Sequence, residues 1–208
     1  MVRSPHSTSD DLLVLHTLRS IGYADLARVS AAAGLTESDT ESALIDLAVA
    51  GLVRRDPGGF GAWGLTGAGR AADAERIRDE LDTAAARPAV TRAYEEFLVL
   101  NPEMLDLCTA WQLRAGDGVM TPNDHTDPAY DSRVLERLAD FHRRADAVCA
   151  DLSAALLRFR RYRVRLADAL ARARAGETEY VTDDLDSYHI VWFQLHEDLL
   201  ATLGIPRH

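Results

Sequence analysis

Helical spacing near the C-terminal end of the chain gathers the side chains best suited to chemistry. His189, Trp192 and His196 are spaced so that they share one face of a predicted helix. A core helix usually carries leucine and isoleucine on such a face, so these residue types indicate a ligand pocket. The alternative is that each histidine is a hydrogen-bonded core residue. The two histidines are about 10.5 Å apart in helical rise, which is too far to bind one metal ion as an i,i+4 pair does.

An irregular segment earlier in the chain supplies the other walls of this predicted pocket. Residues 115–126 contain glycine, proline and asparagine and form the longest stretch without helical periodicity, so we expect them to close over a ligand. The ligand would be a small anionic or aromatic molecule, and we predict no metal ion and no cofactor. The predicted pocket residues are Trp111, Gln112, Asn123, His125, Tyr130, Tyr188, His189, Trp192, His196 and Glu197.

Seven arginines follow one another closely between residues 158 and 174. Helical spacing divides them into two opposed stripes, which cannot both be buried. We therefore predict one solvated stripe and one stripe paired with acids such as Asp151 or Asp183. The alternative is a binding site for a carboxylate or phosphate, because guanidinium groups bind both through paired hydrogen bonds. The first stripe is Arg158, Arg161, Arg165 and Arg172, and the second is Arg160, Arg163 and Arg174.

Catalysis has little support in the sequence. The chain contains no glycine-rich phosphate loop, no HExxH and no GxSxG. Neither Cys108 nor Cys149 lies in a nucleophile motif. We therefore predict no catalytic residues, and the interpretation leans away from an enzyme.

Composition and charge limit the environment and the partners. No apolar run reaches the roughly 18–20 residues of a membrane helix, and the first ten residues are polar, so a cytoplasmic protein without a membrane partner is expected. The two cysteines are expected to be buried and reduced, although a disulfide is the alternative. The net charge is −10, and all 23 basic residues are arginine. An acidic chain of this kind is not expected to bind DNA strongly, unless a local basic patch does so.

The N-terminal third predicts three helices, a two-stranded hairpin and a fourth helix, which is the element order of a winged helix. Thr36 with Asp39 resembles a capping box at the start of the third helix, and Thr66 caps the fourth. The predicted helices are 10–20, 23–33, 36–50 and 66–86, and the predicted strands, 51–56 and 60–65, flank a turn at 57–59.

The remainder of the chain is predicted to be entirely helical. Arg87-Pro88 marks the boundary, and Asn101-Pro102 is expected to begin a second helix after one at 90–99. Longer helices follow from Asp127-Pro128 and from residues 182–184. The predicted fold class is therefore mostly α, with a winged helix-turn-helix domain at residues 1–86 and an all-α helical domain at residues 87–208.

Two sets of residues resemble known proteins. Gly51-Leu52-Val53-Arg54-Arg55, the glycine-containing wing and Leu65-Thr66-x-x-Gly69-Arg70 resemble the wing region of MarR-like winged-helix regulators. This resemblance implies DNA binding by a dimer. Asn123-Asp124-His125 and Ser187-Tyr188-His189-x-Val191-Trp192-Phe193 are similar to uncharacterised bacterial helical domains.

The predicted third helix is an unusual DNA reader, because its solvent face carries four acids and no basic residue. We expect a cytoplasmic, ligand-responsive transcriptional regulator that binds double-stranded DNA as a homodimer, with the fourth helix, which carries Ile77 and Leu81, as a dimer or interdomain seam. The alternatives are a winged helix that binds a protein partner or small molecule instead of DNA and, third, an enzyme. The predicted DNA contacts are Arg28, Ser38, Thr40, Ser42, Arg54, Arg55 and Arg70, with the serines and threonine facing base edges and Arg54, Arg55 and Arg70 holding phosphates.

Overall fold

A computed structural model describes residues 6–56, 61–116 and 119–206, and most of these residues are helical, as predicted. The predicted turn at 57–59, with Phe60, lies outside the described residues. In the described part of the chain the α-helices are α1 (Asp10–Ile21), α2 (Leu26–Ala33), α3 (Glu37–Val49), α4 (Gly67–Thr83), α5 (Arg87–Gln112), α6 (Pro128–Ala155), α7 (Arg160–Arg174) and α8 (Tyr188–Leu203). Two antiparallel strand pairs join β1 (Val53–Arg55) to β2 (Trp63–Leu65) and β3 (Leu113–Gly116) to β4 (Val119–Pro122).

Local capping determines where the first helices begin. The Thr36 hydroxyl accepts from the Asp39 N–H at the start of α3, and the Thr66 hydroxyl accepts from the Gly69 N–H at the start of α4, as the sequence predicted. Helix α2 begins at Leu26 rather than at residue 23. Its N-cap is Asp25, and the backbone of Ala24 is already hydrogen-bonded to Trp63 of β2.

The first three helices and the β1–β2 hairpin share one hydrophobic core. Val14 and Leu15 of α1 pack there with Leu44 of α3, while Val53 and Leu65 face each other across the hairpin. Apolar residues at helical spacing on α1 and α3 face this core, so packing as well as capping stabilises these helices.

Two glycines allow close approaches around the hairpin. A Cβ on Gly64 would lie 2.4 Å from the ring of Tyr23, and a Cβ on Gly69 would lie 1.9 Å from the Leu52 carbonyl oxygen. A side chain at position 69 would clash with the backbone of Leu52 and push α4 away from it, whereas a side chain at position 64 would displace the exposed Tyr23 ring.

Helix α5 is continuous, which corrects the prediction of two helices separated near Asn101-Pro102. Pro102 lies inside α5 and is exposed. Its ring removes the hydrogen bond to the carbonyl of Leu98, which is also exposed, so water can replace the lost donor. Phe97, Met104 and Trp111 keep one buried stripe along the whole helix, and this packing outweighs the local stop signal.

The region after α5 is not all-α, which corrects the predicted fold class in part. The stretch expected to be irregular contains β3 and β4, which pair from Leu113↔Pro122 to Gly116↔Val119. All four residues of β4 are exposed, so β4 has no buried face. A strand is recognised in a sequence by apolar residues that alternate on a buried face, and β4 does not need that pattern.

Contacts between Cα atoms divide the chain into two compact units. Of the described residues, the first unit comprises 6–91, 152–161 and 194–206, and the second comprises 92–151 and 162–193. The predicted division into 1–86 and 87–208 did not include this return of the chain to the first unit. The division falls within α5, α6, α7 and α8, so each of these helices contributes residues to both units.

Two further findings concern the chain as a whole. Cys108 and Cys149 are both buried and form no disulfide, and burial raises the pKa of each thiol to about 12. Over the described ranges, no helix combines the length and the hydropathy needed to cross a membrane.

Candidate functional site

The exposed surface of α3 is acidic, as the sequence predicted. Ser38 and Ser42 are exposed among acids, so they remain accessible to a ligand. Thr40 is 0 % exposed and donates a hydrogen bond of 2.8 Å to the carbonyl oxygen of Thr36. The expectation that Thr40 faces base edges is therefore wrong. Thr40 lies four residues before Leu44 and faces the same core.

The arginines of the hairpin are exposed but held in position by aromatic neighbours. Arg54 donates from Nη2 to the Tyr23 hydroxyl at 2.8 Å. Arg55 donates to the Gly61 carbonyl, and its guanidinium lies 5.2 Å from the centre of the Trp63 ring. Arg70 is exposed in the first turn of α4, and Arg28 on α2 is half-buried. The exposed guanidinium groups of β1 therefore have preferred directions.

The structure brings four of the predicted pocket residues together where the segment after β4 meets the end of α5. The Asn123 amide donates to the Trp111 carbonyl at 3.0 Å, and the Trp111 and His125 rings are 4.6 Å apart. The Tyr130 hydroxyl donates to the Ala110 carbonyl at 2.7 Å, at the end of the same helix. The Gln112 carbonyl accepts from the Asn123 N–H, although its side chain is exposed.

Asp131 organises this group, and sequence reasoning missed it. One carboxylate oxygen accepts from the Asn123 amide at 2.9 Å, and the other lies 3.0 Å from His125 Nδ1. In a neutral imidazole, a proton on Nδ1 that is donated to Asp131 leaves Nε2 as a hydrogen-bond acceptor. His125 also has a φ of 57°, which is rare for a residue with a side chain. The sequence signal that could have identified Asp131 was its position as an acid in the first turn of a predicted helix.

Trp192 and Tyr188 belong to an aromatic core in the second unit. The Trp192 ring stacks on Phe97 with centroids 4.3 Å apart, and its Nε1 donates to Asn101 Oδ1 at 3.0 Å. The Phe141 ring forms T-shaped pairs with both Trp192 and Tyr188, with centroids 5.1 and 6.1 Å away. His189 on the same helix is half-buried, and burial lowers its pKa.

The ten predicted pocket residues do not form one group. Phe97, which contacts Trp192, and Trp111 are separated on α5 by about 21 Å of helical rise. His196 and Glu197 are half-buried on α8, in the turn after Trp192. The part of the prediction that the structure brings together is the group around Trp111, Asn123 and His125.

The arginine run is divided differently from the predicted stripes. Arg158 lies in a 3₁₀ turn before α7, so it is out of register with the later arginines. Arg158 and Arg161 are buried, while three others form partly exposed ion pairs. The partners are not the expected Asp151 and Asp183. The pairs are Arg158 with Glu80 and Asp198, Arg161 with Asp198, Arg163 with Asp146, Arg165 with Asp186, and Arg172 with Glu177.

Comparison with protein-family models, curated proteins and solved structures found no match for the chain. Among the residues that the structure describes, no group of three or more histidine, cysteine, aspartate or glutamate side chains is arranged to hold a metal ion. The functional interpretation therefore depends on the surfaces and clusters described above.

Proposed function

We propose that the chain is a ligand-responsive winged-helix transcriptional regulator that binds double-stranded DNA as a dimer. The observation that carries this proposal is the order α1–α2–α3–β1–β2–α4, with the hairpin packed on the core shared by the helices. This order is that of a winged helix, and the MarR-like residues of the hairpin and of the start of α4 support it. Ile77 and Leu81 of α4 are already buried within the single chain, so a dimer would use another surface.

The charge distribution determines how such a protein would contact DNA. Most non-specific affinity comes from cations that neutralise phosphates, and α3 supplies none. The exposed arginines 54, 55 and 70, with the half-buried Arg28, would therefore hold the backbone. Ser38 and Ser42 would be left as the only predicted base contacts on α3. The acids on this helix would oppose its entry into the groove.

The group around His125 is the best-supported ligand site in this proposal. In its neutral form His125 can accept a hydrogen bond at Nε2, and its ring is tilted by 40° against the buried Trp111 ring, with centroids 4.6 Å apart. Arg114 is partly exposed and donates from Nη2 to Asp127 at 3.0 Å, and its guanidinium lies 5.0 Å from the centre of the Tyr130 ring. These groups suit a small molecule that carries an aromatic ring or an anionic group. Its binding would shift the population of DNA-binding conformers.

DNA binding by purified protein tests the central part of the proposal. Genomic fragments would be bound at low and moderate salt, and fluorescence anisotropy on an enriched fragment would give the affinity. We expect Arg54→Ala with Arg55→Ala to weaken binding and to reduce the salt slope by about 2, because each phosphate contact contributes about 0.9. Arg143→Ala, at an exposed arginine of the second unit, is the control and should change neither quantity.

The same experiment separates this function from the alternative of a winged helix that binds a partner. The observation that favours the alternative is the exposed face of α3, where Ile45 and Val49 are 51 % and 86 % exposed beside acids. Unchanged affinity and salt slope in the double variant would contradict DNA binding through the hairpin. No binding even at low salt would favour the partner-binding function.

A further inference from the structure

The interior of the first unit contains an unusual group of charged side chains, which we name the buried charge cluster. Each of its members is at most 8 % exposed, and they come from segments that are far apart in the sequence. Charges in a protein interior are costly unless they are paired, so such a group needs a specific explanation. The members of the buried charge cluster are His16, Asp73, Glu80, Arg158, Arg161 and Asp198.

Asp198 is the centre of the cluster. Its Oδ1 accepts from Arg158 Nη1 at 2.5 Å and lies 3.0 Å from His16 Nε2, and its Oδ2 accepts from Arg161 Nη2 at 2.9 Å. The Thr202 hydroxyl also donates to Oδ1. Arg158 additionally donates from Nε to Glu80 at 2.9 Å. One carboxylate thus meets three cationic side chains.

The position of His16 between two carboxylates favours the protonated ring. Its Nδ1 lies 2.9 Å from Asp73 Oδ1, and its Nε2 lies 3.0 Å from Asp198 Oδ1. Ionised carboxylates only accept hydrogen bonds, and a neutral imidazole has only one N–H, so it could donate to just one of them. A protonated imidazolium donates from Nδ1 to Asp73 and places its positive charge 3.0 Å from Asp198, where Nε2 makes no aligned hydrogen bond.

The charge count of the cluster leads to the same protonation state. Asp73, Glu80 and Asp198 contribute three negative charges, while Arg158 and Arg161, which stay protonated, contribute two positive charges. The imidazolium of His16 is the third positive charge and makes the cluster neutral. Without that proton, the interior of the first unit would hold one uncompensated negative charge.

The cluster also holds the two returning segments of the chain. His16 lies on α1, and Asp73 and Glu80 lie on α4, whereas the arginines belong to residues 152–161 and Asp198 to residues 194–206. Arg158 donates to Thr202 at 2.6 Å, and Arg161 donates to Thr17 of α1 at 2.7 Å. The returning segments are thus tied to each other and to α1 and α4.

We propose that His16 is a pH-sensitive latch, whose proton holds residues 152–161 and 194–206 against α1 and α4 and whose loss releases them. Deprotonation would leave a ring nitrogen lone pair facing a carboxylate oxygen at about 3 Å, and the three carboxylates would then exceed the two arginines by one negative charge. The groups that face His16 are Asp73 from α4 and Asp198 from α8, with Arg158 and Arg161 on the far side of Asp198.

The direction of the pH dependence follows from the pKa of His16. Burial alone would lower this pKa, but Asp198 and Asp73 together raise it above the ordinary value of 6.5. The stabilisation is therefore complete below pH 6.5 and is lost as the pH rises through the folded-state pKa. In this range the equilibrium constant for opening the segments should rise by up to tenfold per pH unit, because one proton is released.

Two measurements on the full chain test the latch. Nitrogen-15 NMR of the His16 ring at pH 6 should show both nitrogens protonated, and hydrogen exchange should show residues 194–206 losing protection as the pH rises. In His16→Gln, protection should be low and should not follow this pH dependence, when variants are compared at the same pH. His189→Gln is the control, because His189 lies in the second unit and burial lowers its pKa.

Two results would overturn the proposal. One is a neutral imidazole tautomer at pH 6 in the unaltered protein, a measurement that does not depend on the folding of any variant. The other is protection of residues 152–161 and 194–206 that is the same, after correction for intrinsic exchange, on both sides of the His16 titration.

Discussion

The interiors of the two units are built from different interactions. The first unit buries a cluster of six charged side chains centred on Asp198, whereas the second buries aromatic rings around Trp192. The ion pairs of the second unit are only partly buried, as between Arg163 and Asp146. One histidine in each unit shows the same difference. Carboxylates raise the pKa of His16 in the first unit, while burial lowers the pKa of His189 in the second.

This difference matters for how each unit responds to change. An aromatic core is stable over a wide pH range, because its packing involves no proton. A buried group of charges need not be more stable than a hydrophobic replacement, but it is sensitive to the loss of any single member. The first unit should therefore depend on pH and on individual charges, and the second unit should depend on shape.

Asp198→Asn should have the largest effect of the substitutions considered below. It leaves Arg158, Arg161 and His16 buried with one anion fewer, and breaking a buried ion pair in this way costs about 3–5 kcal/mol. Urea unfolding at pH 6 would measure the change. Asp146→Asn, the same substitution at a partly exposed pair in the second unit, should cost less than about 1 kcal/mol.

The pH dependence sharpens this prediction. Burial raises the pKa of Asp198, but Arg158 and His16 lower it more, so the pKa stays well below the ordinary value of 3.8. The ionised Asp198 therefore stabilises the folded chain fully above pH 3.8. This stabilisation is lost as the pH falls from there through the lower folded-state pKa. Similar unfolding midpoints for Asp198→Asn and Asp146→Asn at pH 6 would show that the two units do not differ in this way.

Trp192→Phe should have an intermediate effect on the second unit. The substitution removes the hydrogen bond to Asn101 and leaves a small cavity against Phe97 and Phe141, so we expect a loss of about 1–3 kcal/mol. Phe193→Leu, at the next residue but 39 % exposed, should change stability by less than about 0.5 kcal/mol. An equally small effect of Trp192→Phe would favour the predicted pocket over a packed core.

Local signals predicted the first unit's helices, but long-range pairing could not be predicted. Thr36 and Thr66 cap helices because they bind N–H groups three residues away. His16 and Asp198 lie at opposite ends of the chain, so no spacing connects them. One signal was available, because Asp73 and Glu80 fall in helical register with the buried Ile77 and indicate charges on a core-facing stripe.

The candidate site shows the same limit. Asn123 and His125 were selected by residue type, yet their partner Asp131 is on the next helix, and its role depends on how the chain turns after β4. Trp192 was selected for a pocket because tryptophan and histidine share its face. Phe97 stacks on Trp192 but lies much earlier in the sequence, on α5. It gives Trp192 a core environment that the helical periodicity of α8 alone does not reveal.

The pair between Arg144 and Glu103 should have the smallest effect, although its geometry is good. Arg144 donates from Nη1 and Nη2 to the two carboxylate oxygens of Glu103, at 2.7 and 2.6 Å, but both side chains are at least 40 % exposed. Water and salt screen such pairs, so a double-mutant cycle with Glu103→Gln and Arg144→Gln should give a coupling of about 0.2–1 kcal/mol. The coupling should shrink in 1 M salt, whereas the cost of Asp198→Asn should largely remain, because burial shields that cluster from ions. A coupling free energy between Glu103 and Arg144 as large as the free-energy cost of Asp198→Asn would contradict this. It would mean that hydrogen-bond geometry, and not burial, determines the strength of these ion pairs.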